Sequence, residues 1–396
     1  MNLIKALETS RAEFSLIRRD LHAHPELSFE EQRTSDIVAA QLERWDIPVH
    51  RGLGGTGVVG VIRAGTSKRA IGLRADMDAL PIQETNTFSH ASQHAGKMHA
   101  CGHDGHTAML LAAAWHLNTT RQFDGTVYVI FQPAEEKGGG AAKMIEDGLF
   151  DKFAMESVYG LHNWPGMPLG VFGVKSGAIM ASSSSFKITL HGKGSHAALP
   201  HNAIDPVAAM ASLAQALQTI LTRNKKPSDA AVLSITQMHA GDATNVIPDF
   251  GWLGGTVRTF SNEVLDLIEI RLRALSEHLA HGFGCEAEID FDRNYPPTIN
   301  HPDETAVCVE VMRALVGADK VDADIEAPLS AEDFSFMLQE KPGCYALIGN
   351  GDGGHRDHGH GLGPCMLHNT SYDFNDDLLP IGASYWVKLA ERLLPA

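Results

Sequence analysis

The spacing of apolar and polar positions changes along the chain, and each change marks a new kind of element. Leu3, Ile4, Leu7, Phe14, Ile17 and Leu21 recur at helical spacing, so the first segment is predicted to be helical. His24-Pro25 breaks that pattern, and residues 29–42 resume it. Short apolar runs flanked by glycine follow at 57–62, 70–73 and 126–131 and read as strands, with helical patterns at 107–117 and 141–148. Strands alternating with helices predict an α/β domain around a largely parallel sheet.

The pattern shifts near residue 180. Ala181-Ser-Ser-Ser-Ser185 reads as a polar hinge, and 186–191 then alternates like a half-buried strand. A helix is expected at 205–221, strands at 231–235 and 251–260, a helix at 262–279 and a strand at 286–291. Strands with one solvated face and two helices predict an antiparallel sheet covered on one side. Arg293-Asn-Tyr-Pro-Pro297 reads as the exit linker. Beyond it the α/β character returns, with a helix at 305–316, a strand at 344–349 and a helix at 379–394. The expected organisation is an α/β catalytic domain in two parts, 1–181 and 294–396, interrupted by an inserted α+β domain at 182–293.

Charge and composition narrow the function classes. The 396 residues carry a formal net charge of −16, which repels phosphate backbones and argues against a nucleic-acid partner. Five scattered cysteines do not form a disulfide framework. No run of about 18 apolar residues appears, and the first residues lack a secretory signal pattern, so a cytoplasmic setting without membrane association is expected. The 21 histidines point towards metal or proton chemistry without saying which of them matter.

The densest chemical cluster is Met98-His-Ala-Cys-Gly-His-Asp-Gly-His106. Cys101 and His103 are borderline-soft ligands suited to zinc, nickel, cobalt or manganese, and Gly102 and Gly105 permit tight turns around them. His94, His99 and His106 are expected to serve as loop, cap or supporting residues. Phe131-Gln-Pro-Ala-Glu-Glu136 puts two carboxylates after a strand, where sites in α/β proteins lie. Neighbouring side chains diverge, so one glutamate can hold metal while the other acts as a general base. His162 and His368 fall in strand-end contexts, and Asp76 and Asp78 are strand-end carboxylates able to orient a ligand. Cys101, His103, Glu136, His162 and His368 are too many ligands for one catalytic zinc and suit two metals sharing a bridge.

These motifs resemble the amidohydrolase branch of the aminoacylase/carboxypeptidase metallopeptidases, which includes hippurate hydrolases, N-acyl-amino-acid amidohydrolases and auxin-conjugate hydrolases. The resemblance runs through Arg19-Asp-Leu-His-Ala-His-Pro-Glu-Leu-Ser-Phe-Glu30, Ala75-Asp-Met-Asp-Ala-Leu-Pro81, His99-Ala-Cys-Gly-His-Asp-Gly-His106, Gln132-Pro-Ala-Glu-Glu136 and Gly160-Leu-His162. It continues through Gly192-Lys-Gly-Ser-His-Ala-Ala-Leu-Pro200, Gly241-Asp-Ala-Thr-Asn-Val-Ile-Pro248, Ala331-Glu-Asp-Phe-Ser335 and Leu367-His-Asn369. It implies two divalent ions (zinc, manganese, nickel or cobalt), with Cys101 as the bridging ligand, Glu135 as general base and Glu136 as the ligand beside it. The wider family has a bridging aspartate where this chain has Cys101 and a metal-binding histidine where it has Asp76. The resemblance further implies that His196 donates to the oxyanion, often in a partner's site, and that Asn245 and Arg258 hold the substrate carboxylate. The expected reaction is hydrolysis of an N-acyl-L-amino acid by a homodimer or homotetramer joined through the inserted domain. Open alternatives are a dipeptidase, an N-acetyl-amino-acid deacetylase and a non-enzymatic metal-binding protein. The His-rich loop 354–361 has no assigned counterpart and reads as a solvated loop that binds metal adventitiously.

Overall fold

The computed structural model describes residues 1–356 and 358–396. It divides into two compact units, one of Met1–Ile179, Ile299–Glu326 and Asp333–Ala396, the other of Met180–Thr298 and Ala327–Glu332. The second unit therefore extends past the expected 182–293 and takes in 327–332, which the sequence reading left with the first.

The first unit is built on an eight-stranded sheet. Its strand order is Val49–Leu53, Gly57–Ala64, Gly125–Gln132, Ala70–Asp76, Ser157–Pro165, Gly343–Gly351, Phe172–Gly173 and Val321–Asp322. The central pairings are parallel, while Val49–Leu53 and Gly57–Ala64 run antiparallel at one edge. Every residue of Ala70–Asp76 and of Gly125–Gln132 is buried, as expected for strands covered on both faces. The helix His103–Thr120 is buried almost throughout and packs against Leu379–Leu393 and Arg11–Ala23. An all-round apolar helix of this kind is a core element, not an amphipathic surface one. It starts at His103, four residues before the predicted start, because the polar first turn is held by buried partners. No helix among the described residues is long and apolar enough to cross a membrane.

The second unit has a four-stranded antiparallel sheet, ordered Ala231–Ala240, Phe250–Thr259, Ser183–His191 and Glu286–Tyr295. Ser184, Phe186, Ile188 and Leu190 alternate onto the buried face, where Leu213, Leu217, Ile268 and Leu272 of two helices meet them. Those helices are Pro206–Arg223 and Asn262–Gly282. Asp205 caps the first by accepting from the Val207 amide at 2.8 Å, and Ser261 caps the second through the Val264 amide at 3.2 Å. The polar stretch 181–185 is not a free hinge. Ser182 and Ser184 are buried, and the Ser182 hydroxyl accepts from the Thr259 amide at 3.0 Å. The expected exit linker is likewise shortened, because the last strand continues to Tyr295.

Candidate metal centre

The C-terminal ends of the central strands gather the proposed ligands. Cys101 ends a loop at the start of the buried helix, and Gly102 supplies the turn with φ +94°. A Cβ at Gly102 would lie 2.2 Å from the Asn163 amide oxygen and 2.5 Å from the Tyr372 hydroxyl. Only glycine fits both the backbone conformation and the space. His103 and His106 follow in the first turn of the helix. Glu135 and Glu136 come from the turn after Gly125–Gln132, and His162 lies within Ser157–Pro165 rather than at its end. His368 is in the left-handed region at φ 60°, and its amide donates to the Ala100 carbonyl at 2.8 Å. That bond places its ring beside the Cys101 segment.

The side chains converge. His162 Nε2 is 3.4 Å from Cys101 Sγ. His368 Nε2 is 3.4 Å, and His103 Nε2 3.9 Å, from Glu136 Oε1. His103 Nε2 and Glu136 Oε1 are both buried without a hydrogen-bond partner among the described residues. An unmet buried polar atom costs about 1–3 kcal/mol, so two that face each other mark a place built for a further binding partner. One sulfur, imidazole nitrogens and a carboxylate are the donor set of a borderline-soft divalent cation. The residues present fit a metal pair.

The surroundings support that reading. Asp78 accepts from His103 Nδ1 at 3.2 Å, which turns Nε2 inward towards Glu136. Asp76 accepts from His106 Nδ1 at 2.6 Å, and Asn163 occupies His106 Nε2 at 2.7 Å, so both ring nitrogens of His106 are engaged. Burial opposes charge on His103, but Asp76 and Asp78 outweigh it and raise its pKa to about 10 in the metal-free protein. Burial, with Glu136 and Glu135 beside it, pushes the Cys101 thiol well above its usual range. Burial, with His106 beside it, holds His162 well below its usual range, as the neutral imidazole a metal needs. Metal uptake at neutral pH must therefore displace protons from Cys101 and His103.

Other sequence-nominated residues fall elsewhere. His99 is buried with both ring nitrogens unpaired, and burial lowers its pKa to about 4. In the second unit, His196 pairs with Val246 in a short two-stranded ribbon, and the Ala197 amide donates to the Asn245 carbonyl at 2.9 Å. The ribbon thus brings His196 and Asn245 together, both exposed. Arg258 is half-buried on Phe250–Thr259, bonded to the Ser182 carbonyl at 3.4 Å, with no carboxylate partner among the described residues. Of the loop 354–361, Asp357 lies outside the described residues. His355 and His360 donate to the carbonyls of Asp373 and Gly361, and neither joins a metal-type cluster among the described residues.

Several supporting residues escaped the sequence reading. Arg74 is 1% exposed and donates to Asp76 at 2.7 Å and to Asp333 at 3.1 Å. Asp333 also accepts from the Gln132 side chain at 2.8 Å and from the Ala141 amide at 2.9 Å, tying the glutamate turn to the sheet. Glu31 is fully buried and accepts from the Ala134 amide at 2.9 Å and the Thr56 hydroxyl at 2.7 Å. An arginine inside an otherwise apolar strand is a legible sign of buried acidic partners. The Glu30-Glu31 pair gave no sign of which carboxylate is buried.

A parallel-centred sheet with soft and hard ligands gathered at its C-terminal edge, beside a separate glutamate, defines a metallohydrolase. Residues 72–392 match the model of peptidase family M20/M25/M40, and the chain belongs to that family, in its amidohydrolase branch. It is 41% identical to a hippurate hydrolase of Campylobacter jejuni, with all of both chains covered. It is also 41% identical to an N-acetyl-L-cysteine deacetylase of Bacillus subtilis, covering 98% of this chain and 90% of that one. Among solved structures, a dinuclear metal-binding peptidase of the M20 family from Bacillus subtilis aligns with a TM-score of 0.83 and 34% identity, over 98% of this chain and 99% of that one.

Proposed function

We propose that the protein hydrolyses the amide bond of N-acyl-L-amino acids of the hippurate type, releasing a carboxylate and a free amino acid. The observation that carries this reading is the facing pair of buried atoms without a hydrogen bond among the described residues, His103 Nε2 and Glu136 Oε1, with Cys101, His162 and His368 around them and Glu135 alongside. The full-length likeness to a hippurate hydrolase supports the substrate class. Cys101, His103, Glu136, His162 and His368 would hold two divalent ions. A bound pair would polarise the scissile carbonyl and activate a water.

Glu135 takes the water's proton and returns it to the leaving nitrogen, acting first as base and then as acid. Its main-chain amide donates to Asp78 at 3.1 Å, which fixes the turn that presents it. His196 is the candidate donor to the developing oxyanion. Arg258, a guanidinium without a carboxylate of its own, and Asn245 are the candidates for holding the substrate carboxylate. A thiolate ligand disfavours magnesium and calcium, which leaves zinc, manganese, nickel and cobalt. We place the enzyme in the cytoplasm as a homodimer or homotetramer joined through the second unit. Light scattering on the eluting protein tests the assembly.

A substrate panel that varies acyl group and amino acid independently tests the reaction. N-benzoylglycine should be cleaved, and Glu135→Gln should keep its metal while losing about 10²–10⁴-fold in turnover. Cleavage confined to dipeptides would replace this reading with a dipeptidase. Metal uptake without cleavage of any amide would leave a metal-binding protein.

A further inference from the structure

The first unit carries a cavity of about 1010 Å³ that shares no residue with the metal-ligand cluster. It lies at the sheet edge, against the strand Val49–Leu53 and against Val61 and Arg63 of the neighbouring strand. Its apolar lining includes Pro48, Val49, Leu53 and Val61 together with Tyr128 and Phe153, whose ring centroids are 5.4 Å apart, with His50 packed edge-on to Phe153 at 5.0 Å. Four cations line it, Arg51, Arg63, Arg121 and Lys152, against the single carboxylate of Asp46. Arg51 is neutralised from outside the cavity by Asp36. Among the described residues the Arg121 side chain bonds only to oxygens of Asn118, and the Lys152 ammonium only to the Asp147 carbonyl. Arg63 has no partner among the described residues.

The lining of the cavity says what it is suited to hold. A chain of net charge −16 gathers around one cavity three exposed cations that have no carboxylate partner among the described residues, a local field that attracts anions. Tyr128 is buried as a residue, and its hydroxyl, which makes no hydrogen bond among the described residues, is open to the cavity. A single carboxylate would answer one guanidinium, whereas several cations spread around this volume suit a polyanion. Guanidinium forks match phosphate oxygens, and aromatic walls match a flat ring.

We propose that the cavity binds an organic polyphosphate carrying a planar ring, the chemistry of a nucleoside diphosphate. The phosphates lie against Arg63, Arg121 and Lys152, the ring lies against Phe153, and the Tyr128 hydroxyl bonds to the ligand. Calorimetric titration of the metal-loaded protein with ADP, pyrophosphate and adenosine tests this. ADP should bind more tightly than either fragment, and the binding should weaken with added salt. Arg63→Glu and Arg121→Glu should each weaken ADP by about tenfold or more, because each removes a charge-assisted contact and adds repulsion. Tyr128→Phe should weaken it about threefold, the loss of one ordinary hydrogen bond. All three variants should hydrolyse substrate at the wild-type rate. ADP binding untouched by both arginine reversals, or no saturable ADP binding at millimolar concentration, overturns the site. Pyrophosphate binding as tightly as ADP overturns the role of the ring.

Discussion

Asp78 shows how much of the site rests on one carboxylate. One oxygen accepts from His103 Nδ1 at 3.2 Å and the Glu135 amide at 3.1 Å. The other accepts from the Glu136 amide at 3.0 Å and the Ser28 hydroxyl at 2.8 Å. A single side chain thus fixes the tautomer of one proposed ligand, the main chain of another and the direction of the proposed base. Its own pKa is lowered even though burial pushes it up, because the bond and charge of His103 together with the bonds from Ser28 and the Glu136 amide outweigh desolvation. Asn at this position keeps the shape but turns one acceptor into a donor that faces main-chain amides. Asp78→Asn should weaken metal binding by about 10–100-fold, with hydrolysis recovering as metal is added back. A chelator competition giving the wild-type dissociation constant would show that Asp78 does not orient the ligands.

The turn Gln132-Pro-Ala-Glu-Glu136 is the element on which that arrangement hangs, and its backbone is under strain. Ala134 is in the left-handed region at φ 54°, a conformation that costs a residue with a Cβ on the order of 1 kcal/mol. Glu31 offsets this by accepting from the Ala134 amide at 2.9 Å, and from the Phe29 amide also at 2.9 Å. Burial raises the Glu31 pKa, which marks it as a carboxylate kept inside for its hydrogen bonds. Glu31→Ala would leave those donors unmet, so turnover should fall at unchanged metal content, and Glu31→Gln should restore it because the amide oxygen still accepts from both. A steady-state comparison in which both variants lose kcat equally would reduce Glu31 to a packing role. This turn also shows what was legible in the chain. The strand before it and the two glutamates after it were readable, because periodicity and residue chemistry are local. The partners that hold the turn, Glu31, Asp333 and Arg74, lie far from it in sequence or carry no pattern, and only the folded topology brings them in. The same limit misread 181–185, where Ser182 and Ser184 look solvated but are buried, Ser182 paired with Thr259.

At the scale of the whole molecule, a second buried polar network joins segments that the sheet does not connect. Arg18, 1% exposed, donates to Asp373 at 2.9 Å and Asp376 at 2.8 Å. His22, in the same helix and fully buried, donates to Asp104 at 2.9 Å and Glu84 at 3.3 Å. The network ties the N-terminal helix to the start of the helix that carries His103, to the loop around Glu84 and to the segment before the last helix. Breaking one partner of such a buried pair costs more than an exposed pair is worth, since the remaining charge stays desolvated. Burial opposes the charged form of His22, but Asp104 and Glu84 outweigh it and raise its pKa from 6.5 to about 10. The folded state therefore holds a proton that the unfolded chain releases above its own pKa. The stability this contributes is complete below pH 6.5 and is lost as pH rises through about 10. Denaturant midpoints of the metal-loaded protein should fall across that window. His22→Gln should be less stable at pH 7 and should fall less steeply, because it has no proton to lose. Other groups titrate in the same range, so the difference between the two curves isolates His22. Parallel curves would mean that His22 is already neutral in the folded protein and that Arg18 alone neutralises the carboxylates around it.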